Sequence, residues 1–324
     1  MRLAFRLASR LASRLASRHA FLARLPLPLV YMTTSAVLFA LMNVFARMAS
    51  SSAHWASVGA VRAAVGAAVA IALARARRVS LRATDRRAVF WRSVFGTGAM
   101  LTTFYALSSR TLALGDTVTL FNLMPVFLAL LAPLVLREPT SMRVGVGIVV
   151  ALGGVALIVR PSFLFGASPG DAAVIDPTGP SARTTAAVAV LSALLASIAM
   201  MMLRRAGRTE RAEVVSAHFS SFAAAVLTCI ALFDLRVPTL RDAGLMLAAG
   251  VCAGFAQISM TRAYALEQAA RVSALGYVSV VASALLGAAM LHERPPAIAI
   301  VGMLLVVCGG LVVTFAKQRY SPPA

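Results

Sequence analysis

Ten apolar stretches, each roughly 17 to 22 residues long, recur along this 324-residue chain from Pro28 almost to its C-terminus. An α-helix rises 1.5 Å per residue, so each stretch crosses the ~30 Å hydrocarbon core of a bilayer once. They fall at about 28–46, 55–74, 93–112, 116–136, 144–160, 185–203, 213–233, 243–261, 272–291 and 297–316. With 60% hydrophobic and only 13% charged residues, the chain carries more apolar surface than a water-soluble globule keeps in solution. The excess must face lipid, which predicts an all-α membrane protein of about ten transmembrane helices.

The formal net charge of +20 would suit nucleic acid, but the Arg residues are neither gathered in one soluble basic domain nor interleaved with aromatics. They lie in loops. With the N-terminus inside, 23 of the 31 Lys and Arg fall on the cytoplasmic side and seven on the other, Arg92 being counted with the loop before the third span. That bias predicts cytoplasmic N- and C-termini, which only an even number of spans permits. Arg62 alone is expected inside a span.

Residues 1–27 contain RLASRLASRLAS from Arg6 to Ser17, a tail that reads either as a basic amphipathic helix on an anionic leaflet or as a low-complexity extension. Residues 161–183, rich in Pro, Gly and Ala, read as an external linker, and 317–324 as a cytoplasmic tail. No hydrophilic segment is long enough for a soluble catalytic domain. Cys229, Cys252 and Cys308 stand in spans, too far apart for a zinc knuckle or redox pair, so no metal and no cofactor are expected.

The chain repeats itself. At an offset of 155 residues Leu120 matches Leu275, Val126 matches Val281, Glu138 matches Glu293, Gly147 matches Gly302 and Gly154 matches Gly309. Tyr105-Ala106-Leu107 answers Tyr264-Ala265-Leu266 slightly out of that register. Each unit, 28–160 and 184–316, has five spans, an odd number, so the second enters the membrane from the opposite side. The halves differ at two places: Val280 stands opposite Pro125, and His218 opposite Arg62. If Pro125 kinks its helix, the two halves are not mechanically equivalent.

These features resemble the EamA-type branch of the drug/metabolite transporter superfamily. The matching residues are Arg62 in AVRAA, Asn122-Leu123-Met124-Pro125-Val126-Phe127 through Leu136-Arg137-Glu138-Pro139-Thr140, and the Gly-rich fifth span from Gly145 to Gly154. In the second half they are Leu291-His292-Glu293-Arg294-Pro295, Gly302 and Gly309-Gly310. The resemblance implies two inverted five-helix EamA repeats and solute transport, without naming a substrate.

Arg62 lies mid-span, where an ionised side chain is costly, so it must face a cavity, a partner or water. It reads as an anion-binding or gating residue on the pathway, or as a structural charge satisfied by helix ends or carbonyls. Asn43, Tyr105, Asn122, Gln257, Tyr264 and Tyr277 are uncharged polar residues in apolar spans, and with Pro125 are candidates to line the pathway or to serve as interhelical glue. His218 is a candidate for proton coupling or a packing histidine. Asp116 is a helix cap or a coupling carboxylate.

The leading function is a secondary transporter that moves a small metabolite or drug across the bacterial inner membrane by alternating access, as an exporter, driven by protons or by the solute's own gradient. No nucleotide-binding glycine loop is present to use ATP directly. The rivals are a membrane-embedded enzyme of lipid metabolism, which would need clustered His and acids where His19, His54, His218 and His292 are scattered, and a non-transporting subunit. The partners expected are a solute, protons and lipid, with no nucleic acid; a homodimer is left open.

Overall fold

The computed structural model describes residues 26–49, 55–108, 114–160, 162–166, 181–233, 238–290 and 296–316. The basic repeat of the N-terminal tail, most of the linker and the C-terminal tail lie outside the described residues. The first repeat comprises α1 (Leu27–Ala49), α2 (Trp55–Ala76), α3 (Arg86–Ser108), α4 (Leu114–Phe121), α5 (Met124–Val135) and α6 (Met142–Val159). A single turn, α7 (Ser162–Phe165), follows. The second repeat comprises α8 (Ala182–Ala206), α9 (Ala212–Ala231), α10 (Leu240–Leu266), α11 (Ala269–Leu275), α12 (Val278–Met290) and α13 (Ala297–Thr314).

Nine segments among the described residues are long and apolar enough to cross a bilayer, α4–α5 and α11–α12 each counting as one. The tenth, α3, is 23 residues long, but Arg86, Arg87 and Arg92 lower its hydropathy. Apolar side chains cover both faces of the outer helices. In α13, Ile300, Val301, Leu304 and Leu311 are exposed while Val306 and Val313 are buried. Such a helix has lipid on one side and protein on the other.

The packing follows the pseudo-twofold of an inverted repeat. α1 packs on α10 as α8 packs on α3, and α12 packs on α1 as α5 packs on α8. α2 meets its own counterpart α9, and α6 meets α13. Lipid supplies no hydrophobic drive between helices, so they associate through close contact of small residues. On α2 the buried set is nearly all Ala and Gly, including Ala56, Ala60, Ala63, Gly66 and Ala67. The α6–α13 seam is tighter still. A Cβ on Gly154 would lie 2.6 Å from the Gly302 carbonyl oxygen, and one on Gly309 would lie 2.6 Å from that of Gly147.

Two expected single helices are broken. α4 ends at Phe121 and α5 restarts at Met124, with Pro125 at its start, where a missing N–H costs nothing. In the second repeat α11 ends at Leu275 and α12 starts at Val278 although no proline is present. There Gly276 occupies the break, and a Cβ on it would lie 2.9 Å from Ser273 O and 3.2 Å from Met32 Cε. The asymmetry expected from Pro125 is therefore corrected: both repeats break at equivalent points, one at a proline and one at Gly276.

Candidate functional site

The two breaks face each other. At the first, Leu123 N bonds Leu120 O at 3.2 Å, a tightened i→i−3 turn, and Asn122 Nδ2 donates to Val118 O at 2.8 Å. The Tyr277 hydroxyl, at the second break, donates to Asn122 O at 2.8 Å. Polar side chains thus satisfy carbonyls at the interruption, which is the condition for non-helical backbone inside a membrane. Asn122 and Tyr277 are equivalent positions in the two repeats, so this bond joins the halves on their symmetry axis. Counting 1.5 Å per residue, Asn122 lies about 12 Å from Leu114 along the segment that ends at Val135.

A cavity of about 230 Å³ opens at this point, bounded by Asn122 and Pro125 from the first repeat and Ser192, Ser273, Tyr277 and Ser279 from the second. Thr103 and Ser192 hydroxyls, 2.6 Å apart, link α3 to α8 on its wall. A second, much smaller cavity of about 10 Å³ is walled by Arg62, Gly66, Phe219, Ser220, Ala253 and Gln257. Arg62 Nη1 donates to Met42 Sδ at 3.1 Å, and Nη2 donates to Met100 Sδ. Thioethers are weak acceptors, and no carboxylate among the described residues pairs with this guanidinium.

The Arg-rich end of the bundle is closed by ion pairs between the repeats. Glu138, 8% exposed, accepts from Arg204 Nε at 2.8 Å, from Arg208 Nη2 at 2.6 Å and from the Ala269 backbone N–H at 3.0 Å. Glu213 holds Arg77 of the first repeat at 2.6 Å and, within its own repeat, Arg262 at 2.8 Å. Glu210 Oε1 accepts from the backbone N–H of Thr84 and Asp85 at 2.5 and 2.6 Å.

The sequence candidates thus separate into groups. Asn122, Pro125 and Tyr277 share the larger cavity, and Arg62 and Gln257 share the smaller. Tyr264 is fully buried, whereas its repeat counterpart Tyr105 is 45% exposed. Asn43 is exposed on α1. His218 is exposed too and lines neither cavity; it borders a separate opening of about 650 Å³ with Arg82, Arg86 and Phe222, and its Nδ1 lies 2.9 Å from Val214 O. Asp116 is the third residue of α4 rather than the residue before it, and its side chain lies outside the described residues.

Arg92, read above as a loop residue, is 2% exposed inside α3. The third helix begins at Arg86, seven residues earlier than hydropathy placed it, because Asp85 caps it: Asp85 Oδ1 accepts from Ala88 N at 3.0 Å. That cap was the signal in the sequence.

An all-helical bundle of two inverted five-helix units, broken at matched points around a shared polar cavity, defines a transporter-type membrane fold. The chain belongs to the EamA-like transporter family, which it matches over residues 27–160 and again over 183–315. It is 28% identical over 281 residues to the pseudopaline exporter CntI of Pseudomonas aeruginosa, covering 86% of this chain and 93% of that one. Against solute carrier family 35 member G1 of Mus musculus it is 28% identical over 291 residues, covering 87% and 76%. A solved crystal structure superposes with a TM-score of 0.76 at 20% identity, over 90% of this chain and 99% of the other, a likeness of fold.

Proposed function

We propose that this protein is a secondary transporter that exports a small metabolite or drug across a bacterial inner membrane, by rocking one repeat against the other. The observation that carries this reading is the cavity of about 230 Å³ at the two broken helices, walled by both repeats and bridged by Tyr277 to Asn122. A solute held there touches both moving halves. The ion pairs of Glu138 with Arg204 and of Glu213 with Arg77 join the repeats at the Arg-rich end, and exchanging access means breaking them. The direction of transport follows the relative named as an exporter.

The test is initial flux in proteoliposomes against a panel of amino acids, nucleotides, sugars and cationic drugs, with and without a pH gradient. No flux of any solute, from protein shown to be folded, returns the chain to a non-transporting subunit. In the same assay His218 is the group proposed to couple protons, and flux that keeps its full pH dependence in His218→Gln removes it. Reporter fusions after Arg82 and Arg208 should report cytoplasm, and fusions after Asp171 and Arg236 the exterior. An exterior signal after Arg208 contradicts the orientation.

A further inference from the structure

Among the described residues Arg92 has no acid partner and little else. Its Nε and Nη1 find no hydrogen-bond acceptor among the described residues, and its Nη2 reaches Gln257 Oε1 only at 3.4 Å. Its Cζ stands 4.0 Å from the centroid of the Phe219 ring, a cation–π contact. Gly96, one turn further along α3, makes the room, since a Cβ there would collide with Arg92 Nη1 and lie 2.9 Å from the Phe219 ring. The Tyr264 hydroxyl is also buried and unbonded among the described residues, and it lies within electrostatic reach of Arg92.

Phe219 and Gln257 connect this pocket to a second, half-buried guanidinium, because both also wall the cavity that holds Arg62. The acids do not. Asp85, Glu138, Glu210, Glu213, Asp242 and Glu267, whose side chains are described, are engaged elsewhere, near helix ends. Two guanidiniums joined through one ring and one amide, without a carboxylate between them among the described residues, form a positive centre in a low-dielectric medium. What such a centre lacks is an anion with oxygens spaced for the guanidinium fork.

We propose that Arg92 and the Tyr264 hydroxyl form the second half of an anion site whose first half is Arg62, and that the transported solute is a small organic anion bearing carboxylate or phosphate. This rests on the carrier reading above. Gln257 stands between the halves, its amide able to donate to the anion once Arg92 turns from Phe219 to meet it. The cavity at Arg62, at about 10 Å³, is too small here for such an anion, which enters when α2 and α3 draw apart from α9 and α10.

The experiment measures thermal unfolding of the purified full-length chain in detergent at matched ionic strength, titrated with citrate, inorganic phosphate or choline. Citrate or phosphate should raise the midpoint and choline should not, and whichever of the two anions acts separates carboxylate from phosphate recognition. Arg92→Gln should raise the anion concentration needed for half the effect by about tenfold or more, with Arg92→Lys recovering part of it. Tyr264→Phe should weaken the anion response severalfold while leaving the ligand-free midpoint in place, since it removes a hydroxyl that has no partner among the described residues. Should Arg92→Gln not fold, the Lys and Phe variants carry the test. Unchanged anion response in Tyr264→Phe and Arg92→Lys, no response in the parent protein, or equal stabilisation by choline overturns the proposal. Proteoliposome flux of a neutral or cationic solute that is equal in parent and Arg92→Lys overturns it too, yet leaves the carrier reading intact. Anion binding that depends on Arg92, without flux of any anion, supports the site and sinks the carrier.

Discussion

The repeats meet in two places of opposite character. Along α6–α13 they touch through Gly147, Gly154, Gly302 and Gly309, backbone against backbone, with no charge at the contact. Around α2, α9 and α10 they enclose Arg62 and Arg92, a cavity, and hydrogen-bonding groups without partners among the described residues. Close packing is what holds helices together where lipid competes for every apolar surface, so the glycine seam fixes the register of the halves. The polar centre is left partly unsatisfied, and that is where a ligand changes the energy balance between conformations.

The seam should be the less forgiving. Gly154→Val drives a side chain into the Gly302 carbonyl and Val306, so folded, monodisperse protein extracted in detergent should fall nearly to nothing. The adjacent Gly153→Val, where no atom stands within 4 Å, should leave the yield unchanged. Similar yields for the two variants, read by fluorescence-detected size exclusion, would mean that the seam does not join the repeats.

At the centre the expected loss is of function rather than fold. Arg62→Gln should abolish flux per folded molecule in proteoliposomes with near-normal yield, and Arg62→Lys should keep part of it. Unchanged flux in Arg62→Gln would leave Arg62 as a structural charge. A reduced yield with flux in proportion would move Arg62 to the structural side of the comparison.

Between these extremes lies the Arg-rich end. Glu138→Gln deprives Arg204, 11% exposed, of its ion pair but leaves its bonds to Tyr264 O and Ala265 O, so the loss should be about 1–3 kcal/mol. A thermal midpoint that does not move would show that the pairs add nothing to closure. The smallest effect is expected at the symmetry axis, where Tyr277→Phe removes one bond to Asn122 O, worth about 0.6 kcal/mol for such contacts in membranes. Its flux should slow without a change in yield, and unchanged flux would make the bond an accessory of the break.

Much of this was legible in the chain itself. Segment length and hydropathy gave the spans, and the offset of 155 residues paired Gly147 with Gly302 and Gly154 with Gly309 as equivalents. Equivalence is not contact, however. In the folded seam Gly147 meets Gly309 and Gly154 meets Gly302, since inverted units cross antiparallel. Arg62 stood out as a charge in an apolar run, whereas Arg92 was hidden because hydropathy alone joined it to the basic loop.

The sequence by itself determined that the chain is helical, membrane-spanning and twofold, because length, composition and internal register act along the chain and need no neighbour. Only the tertiary structure decided that α11–α12 breaks without a proline, that Glu138 pairs with Arg204 and Arg208 rather than with adjacent Arg137, and that Arg92 turns inward over Phe219. In so apolar a chain every helix face looks alike to hydropathy, so which face turns to protein and which to lipid is settled by packing alone.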